Sequence, residues 1–275
     1  MGSFRILGVP KVLQNDVECF IVNEFRDTQA IAIKTFPNGK PGIVFQHKDE
    51  HPAIDRITTQ SGHQFSPPVL FLHGTGTEAS VMNFSCGSYA VIQVILKPHA
   101  LKTLLGINAL ALKKAAVDLN EFSNEDIHEQ LLNARSQQER VDVLTNFLLY
   151  RFNQEQTRDE LVEESLRLIH QSTGTISVRA LLERLGISER QFERRFCQTV
   201  GLSPISYVRI RRFNEALRLI QSRHYDTLTE VAHALNFHDQ SHFIRELKAF
   251  TDHTPKSISQ KIDDFTQNQA GYSYI

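Results

Sequence analysis

The chain has 275 residues, enough for two domains of ordinary size. Its 41% hydrophobic and 22% charged residues are those of a soluble globular protein and exclude a disordered or fibrous chain. Net charge is −1, which excludes a uniformly basic coat for nucleic acid, but from Arg179 to Lys261 there are 14 Lys/Arg against 9 Asp/Glu, net +5.

The first residues, MGSFRILGVP, lack the apolar core of a signal peptide. The longest apolar stretches, such as Val91–Leu96, are strand-sized and interrupted by Gln93, so no spanning helix and a cytoplasmic location are expected. Cys19, Cys86 and Cys197 are odd in number, far apart and without metal-ligand spacing, which fits free thiols in a reducing compartment.

Up to about residue 100 the chain reads as short strands between turns. Cys19–Asn23, Ala30–Ile33, Ile43–Gln46, Val69–Leu72 and Tyr89–Leu96 are rich in β-branched and aromatic residues. Pro37-Asn38-Gly39, Pro41-Gly42, His73–Gly76 and Cys86-Gly87-Ser88 supply turns. Many short strands at close spacing predict a small antiparallel barrel or sandwich. Phe20, Phe25, Phe36, Phe45, Phe65, Phe71 and Phe84 would fill its interior, as core or as the lining of a ligand cavity.

Metal and enzyme chemistry have weak signals here. His47, His51, His63 and His73 are the candidate ligands, but His47 and His51 lie on a loop before Pro52 and no His-x-His with a following Glu occurs. Gly74–Thr77 (GTGT) lacks the Gly-Lys-Ser/Thr of a phosphate loop, and GxGxxG, GxSxG and HExxH are absent. No metal, no cofactor and no enzyme activity are expected. The rival expectation is a barrel enzyme with an appended DNA-binding module.

Helices follow. Pro98 can start one at its first position and Gly106 can end it. Asn124–Ala134 and Gln138–Phe152 read as two more. The apolar stripe Val141, Leu144, Leu148 and Phe152 packs either on the barrel or on a second subunit. Phe152–Asp159 is polar and reads as a linker.

The last third repeats one pattern twice. Asp159 caps a helix to about Gln171, and Gly174 closes it. Ser177 caps the next, Gly186 turns the chain, and Ser188 with Gln191 forms a capping box that opens SERQFERRF. Ser203-Pro204 starts a helix running to about Ser222. In the second unit Thr227 and Glu230 form a capping box, and Asn236 stands where a turn glycine is expected. Asp239 then caps DQSHFIREL, and Thr254-Pro255 starts a closing helix to about Ile262. Phe192 and Phe243, Arg194 and Arg245, Phe196 and Leu247, and Pro204 and Pro255 are each 51 residues apart. The pattern predicts two helix-turn-helix units whose recognition helices are held by one long helix of about 28 Å. A straight duplex then has to bend to meet both, at a cost of a few kcal/mol.

The segment VAHALNFHDQSHFIRELKAFTDHTP resembles the signature of AraC/XylS-type transcription regulators. Val231, Ala232, Phe237, Ser241, Phe243, Arg245, Lys248, Thr254 and Pro255 match it, while Asn236, Leu247 and Asp252 depart from its Gly, Phe and Gly. The resemblance covers roughly Thr175 to Ile262. The N-terminal part, especially residues 96–119, is more weakly similar to the cupin-like sensor halves of that family.

The resemblance implies a sequence-specific DNA-binding regulator. Its fold class would be α+β in two domains. A cupin-like β-barrel with following helices would span 1–155, an all-α double helix-turn-helix domain 156–265, and a flexible tail 266–275. Base contacts fall on Arg190, Glu193 and Arg194 in the first unit and on Gln240, Ser241, His242 and Arg245 in the second. Phosphate contacts fall on Arg195, Arg211 and Arg212 and on helix N-termini. Partners would be double-stranded DNA and RNA polymerase, with a small-molecule effector and a homodimer as open roles and no membrane. Arg190 and Arg194 make the first unit the stronger reader.

Overall fold

The structure is a computed structural model. It describes residues 3–27, 30–48, 51–112, 116–122, 126–154, 157–222, 225, 227–251, 253–254, 258, 265–268 and 271–274. In chain order its first strands are β1 (Ser3–Leu7), β2 (Val17–Asp27), β3 (Ile31–Thr35), β4 (Gly42–His47), β5 (Ile54–Thr59) and β6 (Gln64–Phe65). They are followed by β7 (Leu70–His73), β8 (Ser80–Phe84), β9 (Gly87–Leu96) and β10 (Val117–Asp118). Two short strands, β11 (Phe265–Asn268) and β12 (Gly271–Tyr274), come at the end.

These strands form two antiparallel sheets of six, in the orders β1-β2-β9-β4-β7-β10 and β11-β12-β3-β8-β5-β6. The expected barrel is thus built from two facing sheets that share no strand. The first sheet is covered on both faces. Along β9, Ile92, Val94 and Leu96 pack under helices, and Val91, Gln93 and Ile95 face the second sheet. The period-two alternation of strand side chains sends Phe20, Ile43, Phe45, Leu70 and Leu72 to the helix side as well. Burial on both faces is the reason these segments read as continuous apolar runs.

Three helices cover the outer face of the first sheet: α1 (Ala100–Thr103), α2 (Ile127–Asn133) and α3 (Gln137–Phe152). The helix expected from Pro98 to Gly106 shrinks to the single turn of α1, because Gly106 sits at φ 71° and the chain ends in tighter turns. Val141, Leu144 and Leu148 are buried in this core, so the α3 stripe packs within the chain.

The second body is helical: α4 (Glu160–Gln171), α5 (Val178–Leu185), α6 (Glu189–Val200), α7 (Pro204–Ser222), α8 (Leu228–Ala234) and α9 (Gln240–Thr251). Its core joins Phe192, Phe196, Tyr207, Phe213, Phe243 and Phe250. Asp252, Pro255 and most of the expected closing helix lie outside the described residues. Ile258 is described and fully buried. No helix among the described residues is long and apolar enough to cross a membrane.

Two expectations change. The polar stretch before α4 is pinned rather than loose: Arg158 donates to both carboxylate oxygens of Asp16 at 2.8 Å. The segment expected as a free tail over 266–275 contains a hairpin, and β12 pairs with β3 through Ser273–Thr35 and Tyr274–Lys34. The open edge of β3 supplies unpaired N–H and C=O groups, and the sequence GYSY suits a strand there.

Candidate nucleic-acid interface and the cavity behind it

The first recognition helix, α6, owes its roll to two phenylalanines. Phe192 and Phe196 are fully buried, one turn apart, with ring centroids 5.5 Å from each other in an edge-to-face contact. This turns Arg190, Glu193 and Arg194 outward together, and all three are exposed. Ser188 has the extended backbone of an N-cap, at ψ 147°. The expected capping box does not form, since the Ser188 hydroxyl donates to the Gln191 side chain at 3.0 Å instead of accepting from the backbone. Gly201 ends the helix at φ 83° and also lies against the first domain. A Cβ there would stand 3.1 Å from the Ala109 carbonyl oxygen.

The second recognition helix, α9, is set in the same manner. Asp239 caps it, accepting from the His242 N–H at 2.7 Å, and Phe243, Leu247 and Phe250 are buried. Asn236 takes the left-handed turn at φ 54°, as its replacement of glycine predicts. Gln240, Ser241 and Arg245 are exposed. His242 is half-buried, its ring 5.4 Å from that of Phe237 and its Nε2 3.9 Å from Glu246. It therefore lies closer to the domain core than its three companions.

Ion pairing separates the arginines. Arg190, Arg194 and Arg245 make no ion pair among the described residues. Arg195 instead donates two hydrogen bonds to Asp159, at 2.8 and 2.6 Å. Burial works to raise the Asp159 carboxyl. The bonds from Arg195 and from the Val162 N–H outweigh it and hold the group below the usual carboxylate range. Arg209 forks onto Glu246 at 2.9 and 2.8 Å and so ties α7 to α9. Arg212 lies over the Phe237 ring at 4.8 Å, and Arg211 beside it on α7 is half-buried. Of the three residues expected at phosphates, one is thus engaged by a carboxylate and two are partly inside.

Both recognition helices are tethered at their C-terminal ends to the sheet domain. Thr75 Oγ1 donates to the Val200 carbonyl, the last of α6, at 2.7 Å in a buried contact. Lys34 Nζ donates to the Thr251 carbonyl, the last of α9, at 2.9 Å. A cation at a helix C-terminus also complements the helix dipole. Between the two tethers the loop after β3 docks on α7. Asn214 donates to the Pro37 carbonyl at 2.8 Å, and Phe36 meets Phe213 edge-on at 6.4 Å.

A cavity of about 520 Å3 lies between the two sheets. Its wall includes Thr35 to Asn38 and Thr75, the segments that hold the helices. The seven phenylalanines expected inside divide. Phe20 and Phe45 belong to the core under α1–α3, and the other five line the cavity. Reading from the sequence missed the polar side chains among them, Asn23 and Gln93, although Gln93 does break an apolar run. Of the four histidines weighed as metal ligands, His63 and His73 line the cavity, and no group of three His, Cys, Asp or Glu able to hold a metal occurs among the described residues.

Comparison with known proteins gives two matching family models. A helix-turn-helix domain matches residues 181–261, and a domain of unknown function (DUF6597) matches residues 10–118. Over 79 residues, 29% of this chain, the sequence is 32% identical to the HTH-type transcriptional activator RhaS of Pectobacterium carotovorum subsp. carotovorum (strain PC1). The match spans 28% of that relative's length. Among solved structures, ToxT from Vibrio cholerae O395 aligns over 89% of this chain and 97% of its own at 13% identity, with a TM-score of 0.46. The C-terminal domain of AraT, a response regulator from Geobacillus stearothermophilus, aligns over 38% of this chain and 86% of its own at 20% identity, with a TM-score of 0.35.

Proposed function

We propose that this chain, whose residues 181–261 form an AraC/XylS-type helix-turn-helix domain, is a sequence-specific DNA-binding regulator of transcription. Its two recognition helices enter adjacent major-groove segments, and the sheet domain controls them. One observation carries the reading: α6 and α9 present exposed arginines without ion pairs, on helices whose roll and separation are set by buried rings and by α7. Arg190 and Arg194 suit guanine O6/N7, Glu193 suits cytosine N4, and Gln240 suits adenine. Ser241, His242 and Arg245 contact the second segment. The helix N-termini with Arg195, Arg211 and Arg212 serve phosphates. Arg195 does so by exchanging Asp159 for the backbone, and Arg212 by leaving Phe237.

The cavity is the effector site in this reading. Its wall contains Thr75, which tethers α6, and Ile33 and Thr35, the β3 neighbours of the Lys34 that tethers α9, so a bound molecule acts on α6 through Thr75 and on α9 through β3. RNA polymerase is a protein partner, and the chain works in the cytoplasm. A second copy pairs at the edge strand β1, where Phe4 and Ile6 are 49% and 47% exposed. Neither family match favours the barrel-enzyme alternative.

The test is selection of bound duplexes from a random library with the full chain. The expected product is one enriched motif in two segments about 10 base pairs apart, centre to centre. Retention of duplexes without enrichment refutes the reading.

A further inference from the structure

We propose that the cavity takes an uncharged, mainly apolar ring compound bearing a hydroxyl or N–H donor, of the phenol or aryl alcohol class, and that His73 Nε2 accepts that hydrogen. The proposal rests on the reading of the sheet domain as a sensor.

The His73 ring fixes the polarity. Its Nδ1 lies 3.2 Å from the Gly74 carbonyl oxygen. A carbonyl only accepts, so Nδ1 carries the hydrogen and Nε2 is left as a bare acceptor. The ring has room because its strand neighbour is Gly42: a Cβ on Gly42 would come within 2.7 Å of Nε2. Burial lowers the basicity of the imidazole, so the ring stays neutral at neutral pH.

Two further polar groups face the same space. Asn23 on β2 and Gln93 on β9 line the cavity, and their amides have no hydrogen-bond partner among the described residues. β2 pairs Ile21 with Gln93 and Asn23 with Val91, so the two amides are diagonal neighbours on one face. His73 lies two strands from Gln93, across β4, and three from Asn23. At a strand spacing of about 4.8 Å, Gln93 and His73 are about 10 Å apart across the strands, a span suited to a two-ring molecule. A hydrocarbon would leave all three groups unmatched, which costs affinity.

The charges disfavour an anion. Among the described residues, Lys40 and Glu78 are the only Lys, Arg, Asp or Glu side chains in the lining. Lys40 is paired with Glu18 at 3.1 Å, and Glu78 already accepts from the Ser61 N–H and hydroxyl. A carboxylate at His73 would meet a lone pair instead of a hydrogen. Stacked rings, Phe25 on Tyr89 at 5.0 Å and Phe84 on Tyr89 at 5.1 Å, favour an aromatic body. The volume of about 520 Å3 suits a small ligand.

The experiment is calorimetric titration of the full chain with 4-phenylphenol, biphenyl-4-carboxylate and biphenyl, alongside gel shift of the same preparation on its selected DNA. The phenol should bind about tenfold or more tightly than either analogue, the size expected of one hydrogen bond near 1.4 kcal/mol. His73→Phe should bring the phenol down to the level of biphenyl, and His73→Gln, which keeps an acceptor, should retain the preference. If His73→Phe does not fold, Gln93→Leu is read instead, and it should narrow the same preference. Equal or tighter binding of the carboxylate, or binding of none of the three, overturns the proposal. If DNA binding persists in that case, only the ligand assignment falls. If DNA binding is absent, the sensor reading falls with it.

Discussion

Arg195 on the first recognition helix holds Asp159 at the start of α4, through two hydrogen bonds of 2.8 and 2.6 Å. Asp159 also caps α4 by accepting from the Val162 N–H at 3.1 Å. Its chain neighbour Arg158 holds Asp16 of the sheet domain. Two adjacent residues of opposite charge therefore link three parts of the molecule. In the proposed complex Arg195 has to leave this pair to reach a phosphate.

That arrangement separates a cap from an ion pair. Asp159→Ala should destabilise the protein by about 1–2 kcal/mol, because it removes the cap and the partner of Arg195. Asp159→Asn keeps a capping oxygen and should cost less than about 1 kcal/mol, as expected for a partly exposed pair. Because Arg195 then has no carboxylate to leave, Asp159→Asn should also tighten DNA binding at every salt concentration, with the slope of log K on log salt unchanged since the number of phosphate contacts is the same. Urea unfolding and salt titrations of DNA binding measure the two effects.

The two readers should be unequal. Arg194 stands beside Arg190 and Glu193 on α6, whereas Arg245 has Gln240 and Ser241 as its exposed companions. Arg194→Ala should weaken binding to the selected site by about 1–3 kcal/mol and relax specificity at one base position. Arg245→Ala should cost less. Equal losses at the same salt concentration would contradict the ranking.

Thr75→Val tests the tether on α6. The substitution keeps the shape and removes the donor to the buried Val200 carbonyl. An unsatisfied buried carbonyl costs about 1–3 kcal/mol, visible as a lower denaturation midpoint. Because Thr75 also lines the cavity, the variant should weaken any effect of a bound ligand on DNA affinity.

Acid should loosen the contact between Asp16 and Arg158. Burial works to raise the fully buried Asp16 carboxyl, but the His99 hydrogen bond and the Arg158 guanidinium outweigh it and hold it below the usual carboxylate range. Its contribution to stability is therefore present above about pH 3.9, the unfolded value, and is lost as pH falls through the lower folded value. Melting temperatures followed below pH 4 should fall less steeply for Asp16→Asn than for the wild type. An identical slope in both would remove Asp16 from the account.

The helical body was legible because its signals are local. Ser177, Thr227 and Asp239 cap helices through their own side chains, and Gly186 and Asn236 turn the chain at φ 61° and 54°. Strands buried on both faces, such as β4 and β9, were legible as apolar runs. β5 (IDRITT) and β8 (SVMNF) belong to the sheet with a more exposed face, and their mixture of polar and apolar residues gives no clear period. The Asp16–Arg158 pair joins residues 142 positions apart, so neither partner announces the other. Lys34 and Thr75 are equally silent, because the carbonyl each one meets belongs to a helix end that only folding brings near. The cavity follows from the distance between two sheets, which strand patterns do not encode.

The central claim is that α6 reads bases through its exposed arginines. The direct measurement is gel shift on the selected site at one salt concentration, comparing wild type with Arg190→Ala, Arg194→Ala and Arg179→Ala. Arg179 is also exposed but is paired with Glu183 at 3.0 Å on α5. The account predicts losses of about tenfold or more for Arg190 and Arg194, and little change for Arg179. Unchanged affinity in the Arg190 and Arg194 variants would contradict it.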